Sequence, residues 1–209
     1  MIKIYLLDFS GAEADNFSTS ALPSFVAETK NDKRRRESFF SYLLLSYAYY
    51  ENFKAPLPPV LKDENGKPYF LSGEISFNIS HSDNLAAVII SDEGDVGIDV
   101  QKTSQKVSQR LIEKVLKEDF YIEKAESLNE PVYLKADKGK IIPFTPRAIG
   151  AAREDSFFKK WTEREALAKA DGRGLSYISK VNADDFLITC ETVIEISDGK
   201  YFILAIRKK

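Results

Sequence analysis

Two helix-length segments, residues 32–53 and 157–171, are each followed by a run of short strands. No other feature narrows the fold of this 209-residue chain as much. The order predicts an α+β fold of two halves, 1–101 and 102–209, each packing one long helix on a small antiparallel sheet. A β-branched and aromatic opening strand is expected at 2–9, and a short helix near 22–29. Asp32 is the expected N-cap of the long helix, and Ala55-Pro-Leu-Pro-Pro59 stops it. The turn signature Glu64-Asn-Gly-Lys-Pro68 leads into strands at 68–71, 75–80, 85–91 and 95–101. Residues 106–126 read as mostly helical, and Gly172 and Gly174 end the second long helix. Strands at 184–190, 192–197 and 200–207 close the chain, with Asp198-Gly199 as a hairpin turn. Residues 127–153 fit neither half and read as an insertion holding a hairpin, a lid or partner-contact loop.

Composition excludes several classes. A hydrophobic share of 44% supports a substantial core. With 30 basic against 32 acidic residues the chain is no polycation, so any anion site must come from local clustering. Cys190 and His81 are the only residues of their kinds, which excludes an internal disulfide, a cysteine zinc site and a histidine-rich metal site. The opening apolar run breaks at Asp8, too early for a signal peptide, and no stretch is long enough to span a bilayer. The expectation is a soluble, cytoplasmic protein.

Four clusters carry candidate chemistry. In Gly94-Asp-Val-Gly-Ile-Asp-Val-Gln101 the alternation puts Asp99 and Gln101 on one strand face. Aspartate is disfavoured in strands, so Asp99 is either a metal ligand or a strand-end carboxylate facing water. On the helix Trp161–Lys169, Glu165 and Lys169 form an i, i+4 pair. They are either a helix-stabilising pair or a carboxylate for a hard cation beside an ammonium for a phosphate. In Phe77-Asn-Ile-Ser-His-Ser82, His81 is either an ordinary surface or structural histidine or part of a phosphate cradle with its flanking hydroxyls. Lys30-Asn-Asp-Lys33-Arg-Arg-Arg36 holds five cations in seven residues, either a solvated face or a site for a compact polyanion. No Walker loop, Rossmann glycine fingerprint or nucleophile elbow is present.

Taken in order, Phe-Asn-Ile-Ser-His-Ser at 77–82, Val-Gly-Ile-Asp-Val at 96–100 and Trp-Thr-x-Arg-Glu-Ala-x-x-Lys-Ala-x-Gly-x-Gly-Leu at 161–175 resemble the 4′-phosphopantetheinyl transferase superfamily, in its longer Sfp-type branch. The resemblance implies a pseudo-dimer of similar halves with coenzyme A in the cleft between them. It implies Mg²⁺ on Asp99 and Glu165, with Gln101 beside them where the family often has a glutamate. Lys169 would contact the pyrophosphate, Ser80 and His81 would hold phosphates, and Gly66 and Lys67 would lie along the nucleotide. Lys30 and Lys33 match a phosphate-binding pair. The resemblance points to Asp119, and after it Glu118, as the base, and a metal-bound water or Glu165 could do the same job. Arg164 stands where a lysine is usual, which keeps the charge but not the ammonium geometry. The implied reaction moves the phosphopantetheine arm of coenzyme A to a serine of an acyl or peptidyl carrier protein, releasing 3′,5′-adenosine bisphosphate. Such an enzyme serves fatty-acid, polyketide or nonribosomal-peptide synthesis. A monomer that binds neither nucleic acid nor membrane is expected. Gln101 keeps open a non-catalytic homologue that binds coenzyme A or a carrier protein, and the basic cluster a small nucleic-acid-binding module.

Overall fold

The computed structural model describes residues 1–17, 23–28, 30–103, 107–117, 120–149 and 156–209. The chain begins with β1 (Ile2–Asp8), a short α1 (Ser24–Ala27) and the long α2 (Asp32–Phe53). Next come the hairpin β2 (Val60–Lys62) and β3 (Pro68–Phe70), then β4 (Ser76–Ser82), β5 (Leu85–Ser91) and β6 (Val96–Lys102). After α3 (Gln109–Leu116) lie β7 (Glu123–Lys124), β8 (Val132–Asp137), β9 (Lys140–Pro143) and β10 (Arg147–Ala148). The second long helix, α4 (Ser156–Asp171), is followed by β11 (Phe186–Ile196) and β12 (Gly199–Lys208).

The strands form two sheets in the orders β4-β5-β1-β8-β9 and β10-β11-β12-β6, with β7 attached to β11. Side chains alternate across each strand, and the cores follow that alternation. From β1, Tyr5 and Leu7 pack under α2 with Phe40, Leu44 and Leu45. Ile4 and Leu6 turn the other way, onto Ile98, Val100, Ile203 and Ala205 of the second sheet. On the far side of that sheet, Leu204 and Ile206 pack against Ala166, Leu167 and Ala170 of α4. The result is four layers, helix, sheet, sheet and helix, a mixed α+β architecture with no barrel. No helix among the described residues is long and apolar enough to cross a membrane.

Several local expectations change. The N-cap of α2 is Asn31, whose side chain accepts from the Arg34 N–H at 2.9 Å, while Asp32 is already helical and pairs with Arg35. Among the described residues of 106–126, helix is confined to α3, and the chain is extended again by β7. The strands expected at 184–190 and 192–197 are one, with an irregularity between Ile188 and Cys190 that breaks the alternation. The closing hairpin turns on Ser197 and Asp198, one residue earlier than read, with Gly199 opening β12.

The segment from 127 holds the expected hairpin, turning on Lys138 and Gly139, both at positive φ. It is no loose lid. β8 runs parallel to β1, and Leu134 and Ala136 are buried in the core under α2. β6, by contrast, leaves β4 and β5 to become an edge of the second sheet.

Among the described glycines, Gly97 has the closest neighbours, and it sets the distance between β6 and α4. A Cβ on Gly97 would strike the Ala166 carbonyl oxygen and lie 2.5 Å from the Ala170 nitrogen. Both are backbone atoms that cannot step aside. Gly97→Ala is therefore expected to lower stability by about 1–3 kcal/mol through overpacking. Urea denaturation would show it as a lower midpoint, and an unchanged midpoint would contradict the close contact.

Candidate active site

β4 and β6 are edge strands of different sheets lying side by side. β6 pairs with β12 on one side only, so its outward N–H groups need other partners. Side chains of β4 supply them. Asn78 Oδ1 accepts from the Ile98 N–H at 3.1 Å, Ser80 Oγ from Val100 at 3.2 Å and Ser82 Oγ from Lys102 at 3.2 Å. The polar members of Asn-Ile-Ser-His-Ser thus form a ladder joining the two sheets, each bond linking residues twenty apart.

Ser80 does more than hold β6. Its hydroxyl donates to Asp99 Oδ1 at 2.9 Å and accepts from Lys169 Nζ at 2.9 Å. Lys169 also donates to Asp99 Oδ1 at 2.6 Å. One node therefore ties together β4, β6 and α4. Asp99 is only 5% exposed, which excludes the water-facing alternative. Its other oxygen, Oδ2, is buried without a hydrogen-bond partner. A half-satisfied buried carboxylate is costly unless something else takes its free lone pairs.

Glu165 lies one helical turn before Lys169. Burial, and then the charge of Asp99, raise its carboxyl above the usual range. The two acids thus share one field, which a cation beside them would relieve. Among the described residues no three His, Cys, Asp or Glu side chains converge into a complete protein metal cage. Two carboxylates, one of them with an unpartnered oxygen, do suit Mg²⁺, which keeps waters and substrate phosphates in its shell. Gln101 is half-buried, and its amide Nε2 lies 3.4 Å from the Lys102 carbonyl.

A cavity of about 270 Å³ opens beside this node, lined by Gly66, Lys67, Asn78, Glu165 and Lys169 among others. Lys67 donates to the Ala170 carbonyl at 3.2 Å, placing a cation at the C-terminal end of α4, where the helix dipole favours it. Burial lowers its pKa.

His81 points to the opposite face of β4, toward α2. Its Nδ1 lies 3.6 Å from Glu37 Oε2. About a third of its side chain is open to solvent, 36%. Partial desolvation, followed by the charges of Lys169, Lys33 and Arg34, lowers its pKa, so the imidazole is neutral at neutral pH. Ser80 and His81, paired in the sequence reading, therefore face different surroundings. The basic run also divides. Lys33 pairs with Asp83 at 2.8 Å, and Lys30 is exposed just before α2. Arg36 turns inward to Asn84, the Phe9 and Ala12 carbonyls and the Phe9 ring. Asp119 and Glu118 lie outside the described residues. The sequence reading missed Glu37 and the ladder partner Asn78. An acid among Phe40, Ser41 and Leu44 at helical spacing, and a polar residue every second position in β4, were the available signals.

No family model matches the chain. Over 173 residues it is 28% identical to the 4′-phosphopantetheinyl transferase AcpT of Salmonella typhi, covering 82% of this chain and 77% of that protein. It is 26% identical to AcpT of Escherichia coli (strain K12) over 172 residues, covering 82% of this chain and 76% of that protein. With the 4′-phosphopantetheinyl transferase gsp of Aneurinibacillus migulanus it shares 31% identity over 166 residues, 78% of this chain and 59% of that protein. These likenesses support the phosphopantetheinyl transferase superfamily.

The ladder makes a direct prediction. Asn78→Ala removes the acceptor of a buried N–H at Ile98 and should cost about 1–3 kcal/mol. Chemical denaturation would measure the loss, and hydrogen exchange would show it as faster exchange at Ile98. Wild-type stability would mean that the bond contributes nothing.

Proposed function

We propose that this chain is an Sfp-type 4′-phosphopantetheinyl transferase, its two helix-and-sheet layers forming a pseudo-dimer with coenzyme A in the cleft between them. The observation that carries the reading is the buried Asp99 carboxylate, bonded through one oxygen to Ser80 and Lys169 and with its other oxygen unpartnered. Glu165, in the field of that carboxylate, and the cations near His81 complete a place for a polyphosphate and a divalent ion.

In this reading a carrier-protein serine attacks the β-phosphorus of coenzyme A. The phosphoanhydride bond breaks, 3′,5′-adenosine bisphosphate leaves, and the serine proton passes to a base. Asp99 and Glu165, with the Gln101 amide beside them, would hold Mg²⁺, which when bound supplies charge neutralisation at the pyrophosphate. Lys169 is set by Ser80 and Asp99 to meet a pyrophosphate oxygen. Gly66 and Lys67 line the nucleotide side of the cavity, and Lys33, Lys30 and His81 form the outer anion subsite. Asp119 is the base implied by the resemblance. Glu165, on α4 and among the described residues, is the second candidate for taking the proton. The carrier is an acyl or peptidyl carrier protein, and the enzyme acts as a cytoplasmic monomer.

The test is mass spectrometry of apo-carrier proteins, of fatty-acid and peptide-synthetase types, incubated with coenzyme A and Mg²⁺. The expected result is the added phosphopantetheine mass. Asp99→Ala and Glu165→Ala should each abolish it, and Lys169→Ala should lower kcat by about 10²–10³-fold. Full activity in either acid variant refutes the metal assignment. Gln101→Glu should lower the Mg²⁺ concentration that gives half the maximal rate, because it returns a negative charge to the ion's surroundings. Coenzyme A binding with no carrier modified and no dependence on Mg²⁺ would favour the non-catalytic alternative that Gln101 keeps open.

A further inference from the structure

Glu37 is an acid where an acid is costly. It lies on the buried face of α2, only 7% exposed, beside Phe40 and Leu44. An apolar side chain of similar size would serve packing better. What it touches is specific: Lys33 Nζ at 3.7 Å and His81 Nδ1 at 3.6 Å. The charged groups acting on His81 are Lys33 and Arg34 from α2 and Lys169 from α4, all cations. Asp83, in the β4–β5 turn, acts on Glu37 and is bonded to Lys33. Glu37 is thus the acid at contact distance from an imidazole in a field of positive charge.

We propose that Glu37 is a positioning residue of the anion subsite. It holds His81 through Nδ1 and becomes the counterion of a doubly protonated His81 when a phosphate group enters among Lys33, Arg34 and Lys169. This rests on the reading that the cleft takes the phosphates of coenzyme A. A neutral imidazole whose Nδ1–H faces Glu37 presents a lone pair at Nε2, which repels a phosphate oxygen. The arriving anion cancels the three cations that disfavour a second proton, and Glu37 remains to favour it. The proton comes from solvent and goes to Nε2, which then donates to the phosphate. The 3.6 Å gap to Glu37 closes to a charge-assisted hydrogen bond. By linkage, binding takes up one proton. Anion affinity therefore rises as pH falls through the pKa of His81 in the complex, and levels off below the free value of about 4.

His81 is the only histidine of the chain, so nitrogen-15 histidine labelling gives one imidazole to read. NMR of the free protein should show a neutral ring protonated at Nδ1. Saturating adenosine 3′,5′-bisphosphate should leave both nitrogens protonated, and calorimetry in buffers of different ionisation heat should show proton uptake. Glu37→Gln should bind this nucleotide about tenfold more weakly, the scale of one charge-assisted hydrogen bond, with His81 still neutral in the complex. A free ring protonated at Nε2, or a His81 that stays neutral in the wild-type complex, overturns the inference alone. So does a Glu37→Gln complex that protonates His81 as the wild type does. Absence of any nucleotide binding overturns the reading of the cleft as well. If Glu37→Gln does not fold, the wild-type tautomer and proton uptake still decide the matter.

Discussion

Two stacked sheets whose edge strands lie side by side must do something with the backbone N–H groups each edge leaves over. Here Asn78, Ser80 and Ser82 of β4 take the outward N–H groups of β6. The ladder fixes the register between sheets through side chains, where a backbone ladder would have merged them into one. That register delivers Ser80 to Asp99, and the Gly97 contact brings α4 close enough for Lys169 to reach both. The site is a by-product of how the layers are joined. A change that loosens the joint displaces the chemistry before it unfolds either sheet.

The same geometry explains why charged side chains here are committed in advance. Lys169 is bonded to Asp99 and Ser80, and Lys33 to Asp83. Lys67 closes the end of α4. Each cation is held by local partners, so its position before a ligand arrives is set by the protein. Polyanion binding then exchanges partners around cations that are already placed. Glu37 and Glu165 differ from these. Their burial disfavours ionisation, and what relieves each acid is a positive charge that need not be permanent.

Elements governed by local rules were legible in the residues. Helix α2 was legible because a polar start and a Pro-rich stop enclose it, though its N-cap lies one residue before the one read. β5 holds an unbroken apolar run bounded by polar turns, and the face of β6 that carries Asp99 followed from plain alternation. What was not legible depended on partners distant in sequence. Nothing around 127–153 announces that β8 lies beside β1, because that pairing joins Tyr5 to Val132 and Leu7 to Leu134. The bulge in β11 looked like a strand boundary because one irregular residue breaks the period that a reader follows. Adjacent hydroxyl and imidazole groups at Ser80 and His81 were grouped as neighbours, although a strand sends neighbours to opposite faces. Glu37 was visible as an acid on an apolar helical stripe, but its contact with His81 appears only when α2 is laid on β4.

The position of β1 has a consequence for how the chain comes off the ribosome. Its two neighbours are β5, some eighty residues later, and β8, about forty more beyond that. Once β5 has joined, β1 still presents a bare row of donors and acceptors until residues 132–135 emerge. An open, apolar strand edge is a template for pairing with other chains. Long-range closure of this kind is slow compared with helix formation. The nascent protein therefore passes through a sticky stage whose length is set by the synthesis time of α3 and its flanks. The β8–β9 hairpin acts as the cover that ends it.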